Sequence, residues 1–218
     1  MPVALVTGAS RGIGKAIASE FAAQAWHVLT PSRAELDLRD GSAIRDWCAS
    51  GGDEKIDALV HSAGINFPRS LGDIPDELWA ETLQVNLTAF RQLLQGLAHR
   101  IGGGRILAIG SILGIVSRPE RAAYSASKAA LAGFIRALAV EQGPKGVYAN
   151  VLCPGFVDTD LTRQNNTPAQ IAALEGSIPL RRLATPAEIA RIAVWLCSPQ
   201  NTYITGQSIV CDGGFTCL

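Results

Sequence analysis

Leu5-Val-Thr-Gly-Ala-Ser-Arg-Gly-Ile-Gly14 passes from a β-branched run through a glycine turn into a helical pattern. Glycines let the chain turn tightly and bring its backbone against a pyrophosphate, which meets the free N–H groups and positive end of the following helix. Gly8, Gly12, Ile13 and Gly14 form the turn, and Ser10 and Arg11 add a hydroxyl and a charge for phosphate oxygens. The spacing is G-x-x-x-G-x-G rather than G-x-G-x-x-G, but the strand–turn–helix setting is the one the mechanism requires. Taken alone, the same stretch also reads as a glycine turn that merely starts a helix.

Working outward, short β-branched runs alternate with longer helical patterns. Residues 3–6, 28–30, 58–61, 105–109, 147–152 and 208–210 read as buried strands. Helical periodicity falls near residues 12–25, 42–50, 75–100, 122–142 and 186–198. The alternation predicts an α/β Rossmann fold, a doubly wound parallel sheet with helices on both faces. One unit is cut short, since only Pro31-Ser-Arg-Ala34 separates the second strand from a brief Glu35-Leu-Asp-Leu38 run. Read as a strand, that run brings the sheet to about seven strands and leaves the crossover helix after the second strand missing or much reduced. Residues 160–180, with paired asparagines, Pro168 and Pro179, read as an excursion without a strand, suited to a lid or substrate loop. No repeat, linker or low-complexity tract divides residues 1–218, which predicts a single domain for cofactor binding and catalysis.

The 218 residues are 48% apolar and 17% charged, which favours a globular body over a long disordered tail. Nineteen basic residues balance nineteen acidic ones without a long run of either sign, which argues against a nucleic-acid or anionic-membrane partner. No uninterrupted apolar stretch reaches membrane-spanning length, and Met1-Pro-Val-Ala-Leu-Val6 runs straight into a strand, so a cytoplasmic location is expected. Cys48, Cys153, Cys197, Cys211 and Cys217 lack a C-x-x-C pair and are odd in number, the pattern of reduced structural thiols. His27, His61 and His99 make no arrangement with them for thiol catalysis, and no metal site is expected.

Folds of this kind that select NAD place an acidic residue at the end of the second strand, about 20 residues beyond the loop, against the ribose 2′-hydroxyl. Ser32 and Arg33 stand there instead. A hydroxyl and a guanidinium suit a 2′-phosphate, which Arg binds bidentately, so NADP is favoured over NAD. Glu35 or Asp37 can still approach the ribose because the segment is short, and Arg33 also reads as a solvated loop charge. Further on, Tyr124-Ser-Ala-Ser-Lys128 follows Ser111 by thirteen residues and offers a phenol, an amine and a hydroxyl to one site. In a helix over 122–142, Tyr124 and Lys128 lie at i and i+4, about 5–6 Å apart at Cβ on one face. A neighbouring ammonium lowers a phenol's pKa from about 10, which lets it exchange a proton with a carbonyl or hydroxyl near neutral pH.

The ordered set of motifs resembles the short-chain dehydrogenase/reductase family, in particular its 3-oxoacyl-acyl-carrier-protein reductase group, nearly end to end. Thr7–Gly14 matches the family's cofactor loop, and His61-Ser-Ala-Gly64 stands where the family usually has Asn-Asn-Ala-Gly. Asn86, Ser111, Tyr124 and Lys128 fall on its catalytic tetrad. Pro154-Gly155 with Thr159 matches the loop that closes over the nicotinamide carboxamide, and Ile204-Thr-Gly206 and Asp212-Gly-Gly214 match its C-terminal signature. The resemblance implies that Asp37 and Leu38 flank the adenine, that Ala63 and Gly64 line the cofactor cleft, and that Val157 meets the nicotinamide end through its backbone. It implies reversible hydride transfer between nicotinamide and a carbonyl carbon. Ser111 would hold the substrate oxygen, Tyr124 would exchange the proton, Lys128 would bind the ribose and lower the tyrosine pKa, and Asn86 would support a water chain. It also implies a homotetramer, and residues 129–140 carry apolar side chains on more than one helical face.

The expected function is an NADP-dependent reductase of a small-molecule ketone or of a 3-oxoacyl thioester held on a carrier. Two alternatives stand beside it: an NAD-dependent alcohol or sugar dehydrogenase, and a dinucleotide sensor without turnover, which needs phosphate grip but no activated phenol. Phe67, Leu113, Phe156 and the 160–180 segment are the expected pocket walls, and Arg163, Arg181 and Arg182 can meet an anionic carrier or lie in solvent.

Overall fold

In the computed structural model, which describes residues 1–217, six strands form one sheet. They are β1 (Val3–Thr7), β2 (His27–Leu29), β3 (Ala58–His61), β4 (Arg105–Ile109), β5 (Tyr148–Pro154) and β6 (Ser208–Cys211). Every pairing is parallel, in the order β2-β1-β3-β4-β5-β6. The helices are α1 (Gly12–Ala23), α2 (Gly41–Ser50), α3 (Asp76–Leu83), α4 (Ala89–Gly96), α5 (Ala122–Gln142), α6 (Asp160–Gln164), α7 (Pro168–Ser177) and α8 (Pro186–Cys197). β1 and β3 are buried along their whole length, which is why they read as near-continuous apolar runs.

Successive side chains of a strand point to opposite faces, so each strand feeds two cores. Ala4, Val6, Val60 and Leu107 pack with Ile17 and Phe21 of α1 and with Ile189 and Val194 of α8. Leu5, Leu59, Ile106 and Val151 turn the other way, onto Ile44 of α2, Phe90 and Leu93 of α4, and Leu131 and Ile135 of α5. β2 pairs with one edge of β1 and β3 with the other, so the connections reverse direction there. A crevice opens at such a reversal, outside the carboxyl ends of β1 and β3.

The strand expected over Glu35–Leu38 does not form, and the sheet therefore has six strands rather than about seven. Residues 33–35 are a turn, closed by the Ser32 amide donating to Glu35 Oε2 at 2.7 Å and the Leu36 amide donating to Ser32 O at 2.9 Å. With the crossover helix gone, nothing carries the chain back alongside β2, so helix and strand are lost together. Leu36 tucks into the core instead, and α2 starts behind Asp40, whose carboxylate accepts from the Ser42 amide at 2.7 Å. The segment 160–180 carries no strand, as expected, but it is ordered into α6 and α7, the latter opened by a Thr167/Gln170 capping box. The helix expected over 75–100 is interrupted by a π-helical turn at Gln84–Thr88 between α3 and α4.

Candidate active site

The glycine turn between β1 and α1 forms the floor of a cleft of about 590 Å³. Gly8 has φ 69°, and a Cβ there would lie 2.7 Å from Ala63 N, so the turn can press against the end of β3 only without a side chain. A Cβ on Gly14 would fall 2.2 Å from Gly8 O. Arg11 precedes α1 in extended conformation without a side-chain cap, and Gly8, Ser10, Arg11, Gly12, Ile13 and Gly14 all line the cleft. Uncapped helix N–H groups beside a side-chain-free turn are the cradle a pyrophosphate needs, so these residues fit a dinucleotide.

Ser32, Arg33, Asp37 and Leu38 line the cleft at the end of β2, and Ala63 and Gly64 line it past β3. Pro154, Gly155, Val157 and Thr159 line it past β5, where the Thr159 hydroxyl caps α6. Arg33 is largely exposed, with Nε 3.4 Å from Asp37 Oδ2. The guanidinium expected at a 2′-phosphate thus stands beside a carboxylate.

Ser111, Tyr124 and Lys128 share the same cleft. Ser111 follows β4, and its Oγ accepts from the Leu113 amide at 3.1 Å, which leaves the hydroxyl proton free to be donated. Lys128 Nζ donates to Ile109 O at 2.7 Å and lies 5.6 Å from the centre of the Tyr124 ring. The expected lowering of the phenol's pKa by Lys128 is not found. Burial pushes Tyr124 up to about 12, and the influences that pull it down are the Ser111 hydroxyl and then the charge of Arg121. Burial also pushes Lys128 down to about 8.

Among the expected catalytic and cofactor-binding residues, Asn86 alone does not line the cleft; it is fully buried behind it. The π-helical turn aims its amide at two neighbours. Oδ1 accepts from the Ile65 amide at 2.9 Å, and Nδ2 donates to Ile65 O and to Ser127 Oγ, each at 3.0 Å. Ser127 Oγ in turn donates to Tyr124 O at 2.7 Å. The side chain therefore braces the wall after β3 against α5, and its hydrogen-bonding groups are used in doing so.

His61, which departs from the family's asparagine, takes over a locking role by different chemistry. Its Nε2 lies 3.1 Å from Val85 O and must carry the proton; Nδ1 then accepts from Thr7 Oγ1 at 3.0 Å. Thr7 Oγ1 accepts in turn from the Ala63 amide at 3.4 Å. The ring stacks on Phe90, with centroids 5.0 Å apart. One imidazole thus ties β1 to β3 and holds the π-helical turn that carries Asn86. Burial, with the Lys128 charge second, pushes its pKa down to about 3 and keeps it neutral.

Leu113 and Phe156 line the cleft with residues 160–162, 165 and 166, whereas Phe67 is exposed and outside it. Arg163 is paired with Asp158 at 2.8 Å, Arg182 with Glu188 at 2.6 Å, and Arg181 donates to Gly176 O. Sequence reasoning missed Arg118 and Arg121, which do line the cleft. Arg121 sits three positions before Tyr124, a helical spacing that was the available signal. No helix among the described residues is long and apolar enough to cross a membrane.

A parallel sheet with a crevice at its reversal point, a side-chain-free phosphate cradle and a phenol, hydroxyl and amine in one cleft defines an α/β oxidoreductase of the dinucleotide-binding class. The family model described as Enoyl-(Acyl carrier protein) reductase matches residues 30–216. The 3-oxoacyl-acyl-carrier-protein reductase of Vibrio cholerae is 35% identical, over 97% of this chain and 96% of that one. Among solved structures, a short chain dehydrogenase family protein from Francisella tularensis has a TM-score of 0.94 at 27% identity, covering 100% of both chains. A short chain dehydrogenase from Burkholderia cenocepacia in complex with NADP has a TM-score of 0.87 at 30% identity, covering 99% of this chain and 98% of that one. The chain belongs to the short-chain dehydrogenase/reductase family.

Proposed function

We propose that this protein reduces a ketone or a 3-oxoacyl thioester with NADPH, using Tyr124 as the proton donor. The observation that carries the reading is the convergence of Ser111, Tyr124 and Lys128 on the cleft floored by Gly8–Gly14. One sheet builds both ends of that cleft, so one domain serves cofactor binding and catalysis. A bound nicotinamide dinucleotide supplies the hydride; positioning and proton management fall to the chain's own side chains. The free Ser111 proton binds the substrate oxygen and steadies the charge that develops on it. As the carbonyl is reduced, its oxygen takes the electron pair of the C=O bond and the proton of Tyr124. A phenol that holds its proton at neutral pH suits donation, and the nearby ammonium of Lys128 stabilises the phenolate left behind. Asn86 acts from behind, through Ile65 and Ser127.

For the cofactor, Ser32 and Arg33 supply donors for a 2′-phosphate, and the Burkholderia cenocepacia relative holds NADP. An exposed pair such as Arg33–Asp37 costs roughly 0–1 kcal/mol to open, so Arg33 is free to turn to the phosphate. The same Asp37 carboxylate supports a second reading, an NAD-dependent alcohol or sugar dehydrogenase in which it meets the ribose hydroxyls. Loss of NADPH absorbance with acetoacetyl thioesters and simple ketones tests the first reading, and a preference for NADH would select the second. Tight cofactor binding with no turnover of any carbonyl would make the protein a sensor. We also propose a homotetramer, supported by the exposed small residues Ala129, Ala130, Gly133 and Ala137 and by exposed Val140 along α5. Light scattering should return four times the chain mass; a monomer would reject it.

A further inference from the structure

We propose that Arg121 is the oxyanion-binding residue of the substrate site, so that the natural substrate is a small carbonyl compound bearing a carboxylate or phosphate close to its oxo group. The proposal rests on the reductase reading and narrows its substrate class.

Arg121 stands at the N-cap of α5, three positions before Tyr124, and lines the cleft with Ser111, Tyr124 and Phe156. Its side chain is only 5% exposed, a degree of burial that arginine almost never reaches without a partner. The protein supplies little. Nη1 donates to Glu120 O at 3.1 Å, and among the described residues Nε and Nη2 find no acceptor. The nearest carboxylate, Glu120, is 4.0 Å away, and its side chain is 58% exposed. Glu120 takes a left-handed φ of 66°, a turn after which its own side chain lies in solvent and that of Arg121 is buried.

Against that one exposed carboxylate, the surroundings also add positive charge. Arg118 lines the same cleft, and its charge acts on Arg121. The first turn of α5 has no side-chain cap, so its N–H groups and positive end lie beside the guanidinium. Arg163 and Arg182, by contrast, are consumed by carboxylates of the chain. A buried guanidinium with spare fork donors, beside the proton donor and open to the reaction cleft, is completed by an anion from outside. Arg121 and Tyr124 lie three positions apart, line the same cleft and act on each other's charge, so oxyanion and oxo group are separated by only a few bonds.

The test compares acetoacetate with its neutral ethyl ester, using NADPH and the wild type, Arg121→Gln and Arg121→Lys proteins. The ratio of kcat/KM for acid over ester is expected to fall about 10- to 100-fold in Arg121→Gln, mainly through KM, and to recover in part in Arg121→Lys. Dihydroxyacetone phosphate against dihydroxyacetone repeats the comparison for phosphate and tells which oxyanion the site prefers. Calorimetric binding of acetoacetate to the three proteins gives a second readout that needs no turnover, with weaker binding expected in Arg121→Gln. A ratio and a dissociation constant that both survive Arg121→Gln overturn the proposal, as does an equal loss on acid and ester. If wild type binds acetoacetate through Arg121 yet reduces no carbonyl, the reductase reading falls while the anion site stands.

Discussion

Replacing His61 with Phe keeps the ring stacked on Phe90 but removes both of its hydrogen bonds and its proton-binding site. The informative variable is pH. In the folded chain burial holds the imidazole's pKa down to about 3, against 6.5 for the free group. A depressed folded pKa means that the unfolded chain binds the extra proton. Stability is therefore full above pH 6.5 and is lost as pH falls toward 3. The limiting slope is about 1.4 kcal/mol per pH unit, so by pH 5 the imidazole has cost about 2 kcal/mol. For a chain of this length that corresponds to about 4–8 °C in Tm. Urea unfolding of wild type and His61→Phe at pH 8, 7, 6 and 5 isolates the effect, because the carboxylates titrate alike in both proteins. At pH 8 the variant should be less stable by about 2–4 kcal/mol, since Val85 O and the Thr7 hydroxyl lose their partner. The gap should then close by about 2 kcal/mol at pH 5. Parallel pH profiles for the two proteins would refute the buried neutral imidazole, and equal stability at pH 8 would refute its locking role.

Tyr124→Phe should lower turnover about 10²- to 10⁴-fold with NADPH affinity retained, as equilibrium binding beside stopped-flow would show; full turnover would remove the phenol from the mechanism. Arg33→Ala should weaken NADPH about tenfold while NADH is little changed, because only the 2′-phosphate uses the guanidinium. An NADPH preference untouched by that change would place the phosphate contact elsewhere.

Much of the fold was legible because it is written in short-range signals. The β1–α1 turn needs residues whose backbone can approach closely, and Gly8 and Gly14 would clash with Ala63 and Gly8 O if they carried side chains. The alternation of apolar runs with helical periods predicted β1 through β6; the inner strands β1, β3, β4 and β5 are buried between two layers, whereas the edge strands β2 and β6, expected to be buried, are partly exposed. Tyr124 and Lys128 could be paired from spacing alone, because a helix repeats every 3.6 residues. The Glu35–Leu38 run misled, because a strand needs a neighbour to pair with and a crossover to bring it there.

What local spacing could not decide is anything set by groups distant along the chain. His61 acquires its tautomer from Thr7, 54 positions away, and from Val85, and Asn86 is aimed by a π-helical turn that periodicity reads as ordinary helix. The spacing of Tyr124 and Lys128 predicted a lowered phenol pKa, yet burial outweighs the charges around it and raises it. Arg121 is set apart from the solvated arginines in the sequence only by its three-residue spacing from Tyr124. Its meaning comes from being enclosed with only an exposed carboxylate 4.0 Å away, and desolvation depends on the whole tertiary structure rather than on any short stretch of it.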